Sequence, residues 1–180
     1  MFTNGDTKWS YFAGKSDDSK RKKQKVVYKH HIRCYSDAMI PSDRFRVVLD
    51  TNVIFEGLTK QGGVCGTIVN AWSIGLIEVC VSDALLYEYL DVLSRKLSPQ
   101  RWVMAKTTLA VLLKSADFIA IYYRWRPSSP DPADEFIIDC AMNANAILIS
   151  SNIKDFRLAQ RKLGLSVLTP KQFLVLLTQV

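Results

Sequence analysis

The 180-residue sequence has no apolar run long enough to span a bilayer, no cysteine pair in C-x-x-C spacing, no internal repeat and only two histidines. Each absence removes a class of protein. A membrane span needs about 18 or more uncharged apolar residues, so neither a spanning helix nor a membrane partner is expected. Met1 to Arg33 is too polar and lysine-rich to carry the apolar segment of a signal peptide. Cys34, Cys65, Cys80 and Cys140 are scattered, and Cys80 and Cys140 lie in apolar runs where a reduced thiol packs as a small hydrophobe. Zinc and a disulfide framework are therefore not expected, and the chain reads as soluble and cytoplasmic.

Charge is present but unevenly spread. The chain carries 24 Lys plus Arg against 17 Asp plus Glu, a net +7. Residues 1–44 hold ten of the basic and five of the acidic side chains, so residues 45–180 are left with fourteen and twelve. The run Lys20-Arg21-Lys22-Lys23-Gln24-Lys25 lies in the first part, which lacks sustained hydrophobic periodicity. Such a block predicts a disordered basic extension over residues 1–44. It reads as a solubilising or untranslated extension, with a nucleic-acid patch as the alternative. Met39 is a candidate natural start.

From residue 45 to 180 the text is that of one globular domain. Arg46-Val47-Val48-Leu49-Asp50 is an apolar run ending in a carboxylate, as a buried parallel strand reads. Gln61-Gly62-Gly63 marks a turn. A helix is expected over Val64 to Ile74 with Gly75 just past its end, then a strand over Leu76 to Val81. Ser82 is the expected cap of a helix with Leu85, Leu86, Tyr89 and Leu93 on one face. Ser98-Pro99 opens another, with Val103, Leu109, Leu112 and Leu113 on its apolar side. A third strand is expected over Phe118 to Tyr122, irregular chain over Pro127 to Pro132, and a helix over Ala133 to Ala144. Ala146 to Ile149 reads as a fourth strand, and Thr169-Pro170 caps a last helix carrying Phe173, Leu174, Leu176 and Leu177. Strands alternating with helices predict an α/β fold, a three-layer α/β/α arrangement with a mainly parallel central sheet.

In such sheets ligands bind outside the carboxyl ends of the strands. Asp50 follows the first strand, and Ser150-Ser151-Asn152 follows the fourth. Asp131 and Asp134 lie where a loop enters a helix, and Glu88 sits two turns into the helix after the second strand. Singly each has an ordinary structural reading, as strand end, helix cap or solvated residue. Converging, they would repel one another and raise one another's pKa unless a cation neutralised them. Oxygen ligands without His or Cys select Mg²⁺ or Mn²⁺, and the natural chemistry is phosphodiester hydrolysis.

These residues resemble a known family. Val48-Leu49-Asp50-Thr51-Asn52-Val53, Ser82 to Tyr89 with Val92-Leu93-Ser94-Arg95, Asp131-Pro132-Ala133-Asp134, Ala141, and Ile147 to Asn152 leading to Lys154-Asp155-Phe156 are similar, in order and spacing, to the PIN domain, and within it to toxin components of type II toxin–antitoxin pairs. The resemblance implies a PIN-like domain over 45–180 and a metal-dependent endoribonuclease leaving a 3′-hydroxyl and a 5′-phosphate. It further implies that Asp50, Glu88, Asp131 and Asp134 are catalytic and hold Mg²⁺ or Mn²⁺. Thr51 and Ser150 would hydrogen-bond the ligands or a phosphate oxygen, and Asn52 would hold the strand end in shape. Asn152 stands where the family often has Asp, which leaves the count of metals open. Asp155 either compensates or caps a short helix.

The implied partners are an RNA substrate, a small antitoxin protein and a second copy in a homodimer. An acidic pocket repels RNA, so surrounding cations are needed: Lys60, Arg95, Lys96, Arg101, Arg124, Arg126, Lys154 and Arg157 are candidates. Tyr122, Tyr123 and Trp125 are either stacking rings for unpaired bases or packing at a strand end, the favoured reading for Tyr122 and Trp125. The alternatives to a toxin are a housekeeping PIN nuclease in RNA processing and a catalytically decayed RNA- or partner-binding module. A phosphatase of the haloacid dehalogenase type needs a second Asp two residues after the first as general acid, and Asn52 occupies that place.

Overall fold

The computed structural model describes residues 44–60 and 62–179. Apart from Arg44, the basic extension expected over residues 1–44 and the candidate start at Met39 lie outside the described residues. Strands β1 (Phe45–Leu49), β2 (Ile77–Val81), β3 (Asp117–Phe118), β4 (Ile147–Ile149) and β5 (Val167–Leu168) form one sheet in the order β3-β2-β1-β4-β5. Every pairing is parallel. The helices are α1 (Thr51–Thr59), α2 (Val64–Ser73), α3 (Asp83–Lys96), α4 (Pro99–Leu112), α5 (Glu135–Ala144), α6 (Arg157–Leu163) and α7 (Pro170–Leu177). Helix α5 lies across β1, β2 and β4, while α1, α2 and α7 pack on one another, giving the three-layer α/β/α arrangement.

The central strands are apolar toward their carboxyl ends because both their faces are covered there. Val47, Val48, Leu49, Leu148 and Ile149 are completely buried. Charge is tolerated only at the open end of the sheet, where Arg46 of β1 spans to Glu78 of β2 at 3.3 Å and to Asp117 of β3. Helix α3 starts where expected, with Ser82 Oγ accepting from the Leu85 N–H at 3.4 Å. Its buried face is Leu85, Tyr89 and Leu93, and truncating Leu93 to Ala would cost about 2–5 kcal/mol.

Several expectations are corrected. Residues 51–59 form a helix that the sequence did not suggest and β5 is likewise additional, while the short helix allowed for after Asp155 is α6. The third strand is Asp117–Phe118 rather than 118–122, because after a last bond from the Ile119 N–H to the Val81 carbonyl the chain turns to α5, which holds Tyr122 onward. β2 begins at Ile77, leaving Leu76 exposed. The expected helix over 133–144 opens with a 3-10 turn at Pro132–Asp134 before α5 proper. Val103 is exposed: α4 buries Ala105, Leu109 and Leu112, and Val103 stands off that face. Ser98 precedes Pro99 as expected, but its side chain makes no capping bond.

Candidate active site

The chain order runs β1, β2, β3 to one side of the sheet and then returns to place β4 on the other side of β1. Between β1 and β4 the connections diverge, which opens a crevice at the carboxyl ends of the two strands. Asp50 closes β1 there, its N–H donating to the Ile149 carbonyl of β4 at 2.9 Å. Asp50 also begins α1, since its side chain accepts from the Asn52 N–H at 3.3 Å.

Two residues of α3 fix the neighbouring wall. The buried Tyr89 hydroxyl donates to the Leu49 carbonyl at the end of β1. One position before it, Glu88 Oε1 accepts from the Thr51 hydroxyl at 2.6 Å. Helix α3 is thereby tied to the end of β1 both in the core and at the surface of the crevice.

The third wall comes from the loop before α5. Asp131 caps the 3-10 turn, accepting from the Ala133 N–H at 2.9 Å. The buried Ser129 hydroxyl donates to Asp134 Oδ2 at 3.2 Å and accepts from the Asp131 N–H at 3.2 Å, so it fixes the spacing of the two acids. The fourth wall follows β4. Ser150, completely buried, donates to Asp50 Oδ2 and accepts from the Asn152 N–H at 3.0 Å. The Asn152 amide donates to Asp155 Oδ2. Helix α6 has Phe156 at its N-cap position with no side-chain capping bond, so Asp155 is turned to Asn152 and the crevice rather than to that helix.

The result is a cavity of about 230 Å³ lined by Asp50, Thr51, Asn52, Glu88, Val92, Lys96, Asp131, Asp134, Asn152, Asp155 and Phe156. All nine residues proposed from the sequence are in or against it, with Ser150 behind Asp50. Ser129 does not stand out in the sequence, Val92 and Phe156 enter only as part of the family resemblance, and of the eight candidate cations only Lys96 lines the cavity. Lys60 pairs with Glu56, Arg95 with Asp91 and Arg126 with Asp139.

Electrostatics follow from the geometry. Burial raises the pKa of Asp50, and the Ser150 hydroxyl and the backbone of Asn52 and Thr51 only partly offset it. Burial also raises Glu88, with Asp50 and Asp131 adding to the effect and the Thr51 bond opposing it. Asp134 is raised to about 6, by burial and then by Asp131, Asp155 and Asp50 against the Ser129 bond. Five carboxylates with one lysine thus share a small space, each held by neutral donors that do not cancel its charge. Among the described residues no three His, Cys, Asp or Glu side chains are already drawn together in the grip of a single ion. The donor set itself, carboxylate and amide oxygens with no nitrogen or sulfur, fits a hard divalent cation.

Comparison with known proteins bears on the fold and the family. No curated protein sequence matches the chain. Among solved structures, VapBC2 from Rickettsia felis, bound to a DNA fragment from its promoter, is similar with a TM-score of 0.51 at 17% identity, over 69% of this chain and 98% of that one. FitAcB from Neisseria gonorrhoeae is similar with a TM-score of 0.50 at 20% identity, again over 69% and 98%. These likenesses establish the fold. The profile of the PIN domain matches residues 46–154, more than half the chain and spanning both strands that bound the crevice, so the chain belongs to the PIN domain family.

Proposed function

We propose that the protein is a divalent-metal-dependent endoribonuclease and the toxin of a toxin–antitoxin pair. The observation that carries the nuclease reading is the acidic cavity at the β1/β4 crevice, where the like-charged Asp50, Glu88, Asp131 and Asp134 meet and the pKa values of Asp50, Glu88 and Asp134 are raised. PIN domains are in general nucleases that use divalent ions. Asp50, Glu88, Asp131 and Asp134 would hold Mg²⁺ or Mn²⁺, which when bound lowers the pKa of water and offsets charge on a phosphate. Asn152 and Asp155 form the remaining oxygen wall.

The protein's own contributions are positional. Ser150, Thr51 and Ser129 each donate to one carboxylate and so fix which oxygen faces the cavity. Val92 and Phe156 supply the apolar part of a wall that is otherwise polar. Lys96 is the cation that lines it, placed to meet a phosphate of the strand. Support for the toxin role comes from the resemblance to type II toxins and from the fold shared with the VapBC2 and FitAcB assemblies.

The test is cleavage of a mixed RNA pool. Cleavage is expected with Mg²⁺ or Mn²⁺, with none in excess EDTA and none by Asp50→Asn. Full activity under either condition overturns the nuclease reading. For the toxin role, any small protein encoded beside this one is co-expressed and is expected to bind and inhibit. If no such protein inhibits it, the toxin role falls while the nuclease stands.

A further inference from the structure

Between β3 and Asp131 the chain passes through twelve residues, Ile119 to Pro130, that contain two arginines and no acid. A segment of this length without helix or strand is ordinarily loose. Here the side chains of α5 take the place of a partner strand. Glu135, Asp139 and Asn143 stand four residues apart on one face of that helix, and each grips the passing backbone. Asn143 Oδ1 accepts from the N–H groups of Tyr122 and Tyr123 at 3.0 and 3.1 Å, and its Nδ2 donates to the Tyr123 carbonyl at 2.8 Å. Asp139 Oδ1 accepts from the Trp125 N–H at 3.1 Å. Glu135 Oε1 accepts from the N–H groups of Ser128 and Ser129 at 2.8 and 3.2 Å.

Two consequences follow from this clamp. The backbone is fixed, yet Tyr122 is 82% exposed and Tyr123 70% exposed, so packing at a strand end does not account for these two rings. Tyr123 and the half-buried Trp125 lie with ring centroids 6.1 Å apart. In addition, the N–H groups of Tyr122, Tyr123 and Trp125 are consumed by α5, so an extended protein chain cannot add here as an extra strand. What the segment offers outward is aromatic faces and the exposed guanidinium of Arg124.

We infer that Tyr122 and Tyr123, with Arg124 beside them, form a pre-ordered stacking platform for unpaired bases of the RNA strand that enters the acidic cavity. The inference rests on the ribonuclease reading and narrows its substrate to single-stranded regions. Three features favour this occupant. The cavity repels a polyanion, so affinity must come from acid-free, cationic surface outside it, and Asn143, which holds Tyr122 and Tyr123, is nine residues from Asp134, about 13 Å along the helix and within reach of a short RNA strand. The same segment runs on through Ser129, which sets the spacing of Asp131 and Asp134. Ring faces accept any base but only one that is unstacked, as in loops and single strands.

The test separates binding from chemistry. Full-length Asp50→Asn protein in EDTA is titrated with a short labelled single-stranded RNA and with its duplex, by fluorescence anisotropy. Adding Tyr122→Ala or Tyr123→Ala is expected to weaken single-strand binding about tenfold each and to leave duplex binding unchanged. Tyr122→Phe, which keeps the ring, is expected to bind like its parent. Asn143→Ala is expected to weaken the single strand as well and to speed amide exchange at Tyr122 and Tyr123. Unchanged single-strand affinity in both tyrosine-to-alanine proteins overturns the platform, and so does an equal loss for the duplex. A changed oligomeric mass with RNA affinity intact also overturns it, by making the strip a protein interface. A wild type that binds single strands through the two tyrosines and yet cleaves nothing with metal refutes the nuclease reading and leaves the platform standing.

Discussion

Two sets of acids on neighbouring elements behave in opposite ways. Glu135 and Asp139, on α5, are 4% and 2% exposed, deeper than any carboxylate of the crevice. Burial would raise Glu135, but the Ser128 hydroxyl and the N–H groups of Ser128 and Ser129 overcome it and its pKa is lowered. Asp139 has Arg126 at 3.4 Å. Asp50, Glu88 and Asp134 expose more surface, yet burial, the largest cause, pushes them up, with neighbouring acids adding to it and their few donors only partly offsetting it. Depth alone therefore does not mark a functional acid. A deficit of compensation does, since it is what a bound cation would relieve.

The largest effects should fall on opposite properties in the two sets. Asp50→Asn is expected to reduce cleavage by about three orders of magnitude or more, while leaving stability in EDTA unchanged or raised because a repelled charge is removed. Glu135→Ala is expected to destabilise by about 2–4 kcal/mol, since the donors of Ser128 and Ser129 lose their acceptor in a buried setting. Urea denaturation and initial cleavage rates, measured on both proteins, decide the matter. A destabilised Asp50→Asn, or a Glu135→Ala protein with wild-type stability, would break the contrast.

Protonation sharpens the same comparison. Asp50, Glu88 and Asp134 have folded pKa values above their unfolded ones, so on their account the folded form holds more protons than the unfolded chain. The stability they lend is complete below the ordinary carboxylate range of about 4 and is lost as pH rises through about 6, where Asp134 ionises. In EDTA the melting temperature should therefore fall between about pH 4 and 7 on their account. Mg²⁺ or Mn²⁺ should restore it near neutrality and do little in acid. Asp134→Asn should flatten the slope. Glu135 has the opposite sign: its contribution is present above its unfolded pKa and lost as pH falls through its lowered folded value, so Glu135→Gln should change the acid end instead. A melting temperature independent of metal at neutral pH would remove the case for a cation site.

The sequence shows some of this and hides the rest for identifiable reasons. Asp50 and Ser150 are legible because buried parallel strands read as apolar runs, and a polar residue at the end stands out. The sheet's parallel character follows from the same runs. Helix α1 is hidden because Thr51–Thr59 carries β-branched Thr51, Val53, Ile54 and Thr59, with Asn52 and a glycine at 57, all of low helix propensity. The glycine has a packing reason: a Cβ there would come within 2.4 Å of Val69 Cγ2 and 2.9 Å of the Cys65 carbonyl on α2. β5 is two residues long, too short for any periodicity to register. The clamp on α5 did leave a signal, polar residues at 135, 139 and 143 on a helix that otherwise buries Ile137, Ile138, Cys140 and Ala141. Its meaning depends on a partner segment that only the fold brings alongside.

The smallest effect concerns the single cation of the cavity. Lys96 follows Glu88 and Val92 at four-residue spacing, so all three share the face of α3 that lines the crevice. Its ammonium lies 5.2 Å from the centre of the Phe55 ring, a weak hold for an exposed lysine, and it is not paired with any crevice acid within 4.0 Å among the described residues. A lysine so placed adds charge where a phosphate must approach five carboxylates, without being needed to keep those carboxylates in position. Lys96→Ala is thus expected to raise KM by about fivefold, to leave kcat near its wild-type value, and to lower the salt dependence of RNA binding by about one unit of slope. Lys96→Arg should retain both. A fall in kcat with KM unchanged would instead place Lys96 among the groups that act on the reacting phosphate, and the division between acids that do chemistry and a cation that only recruits substrate would have to be redrawn.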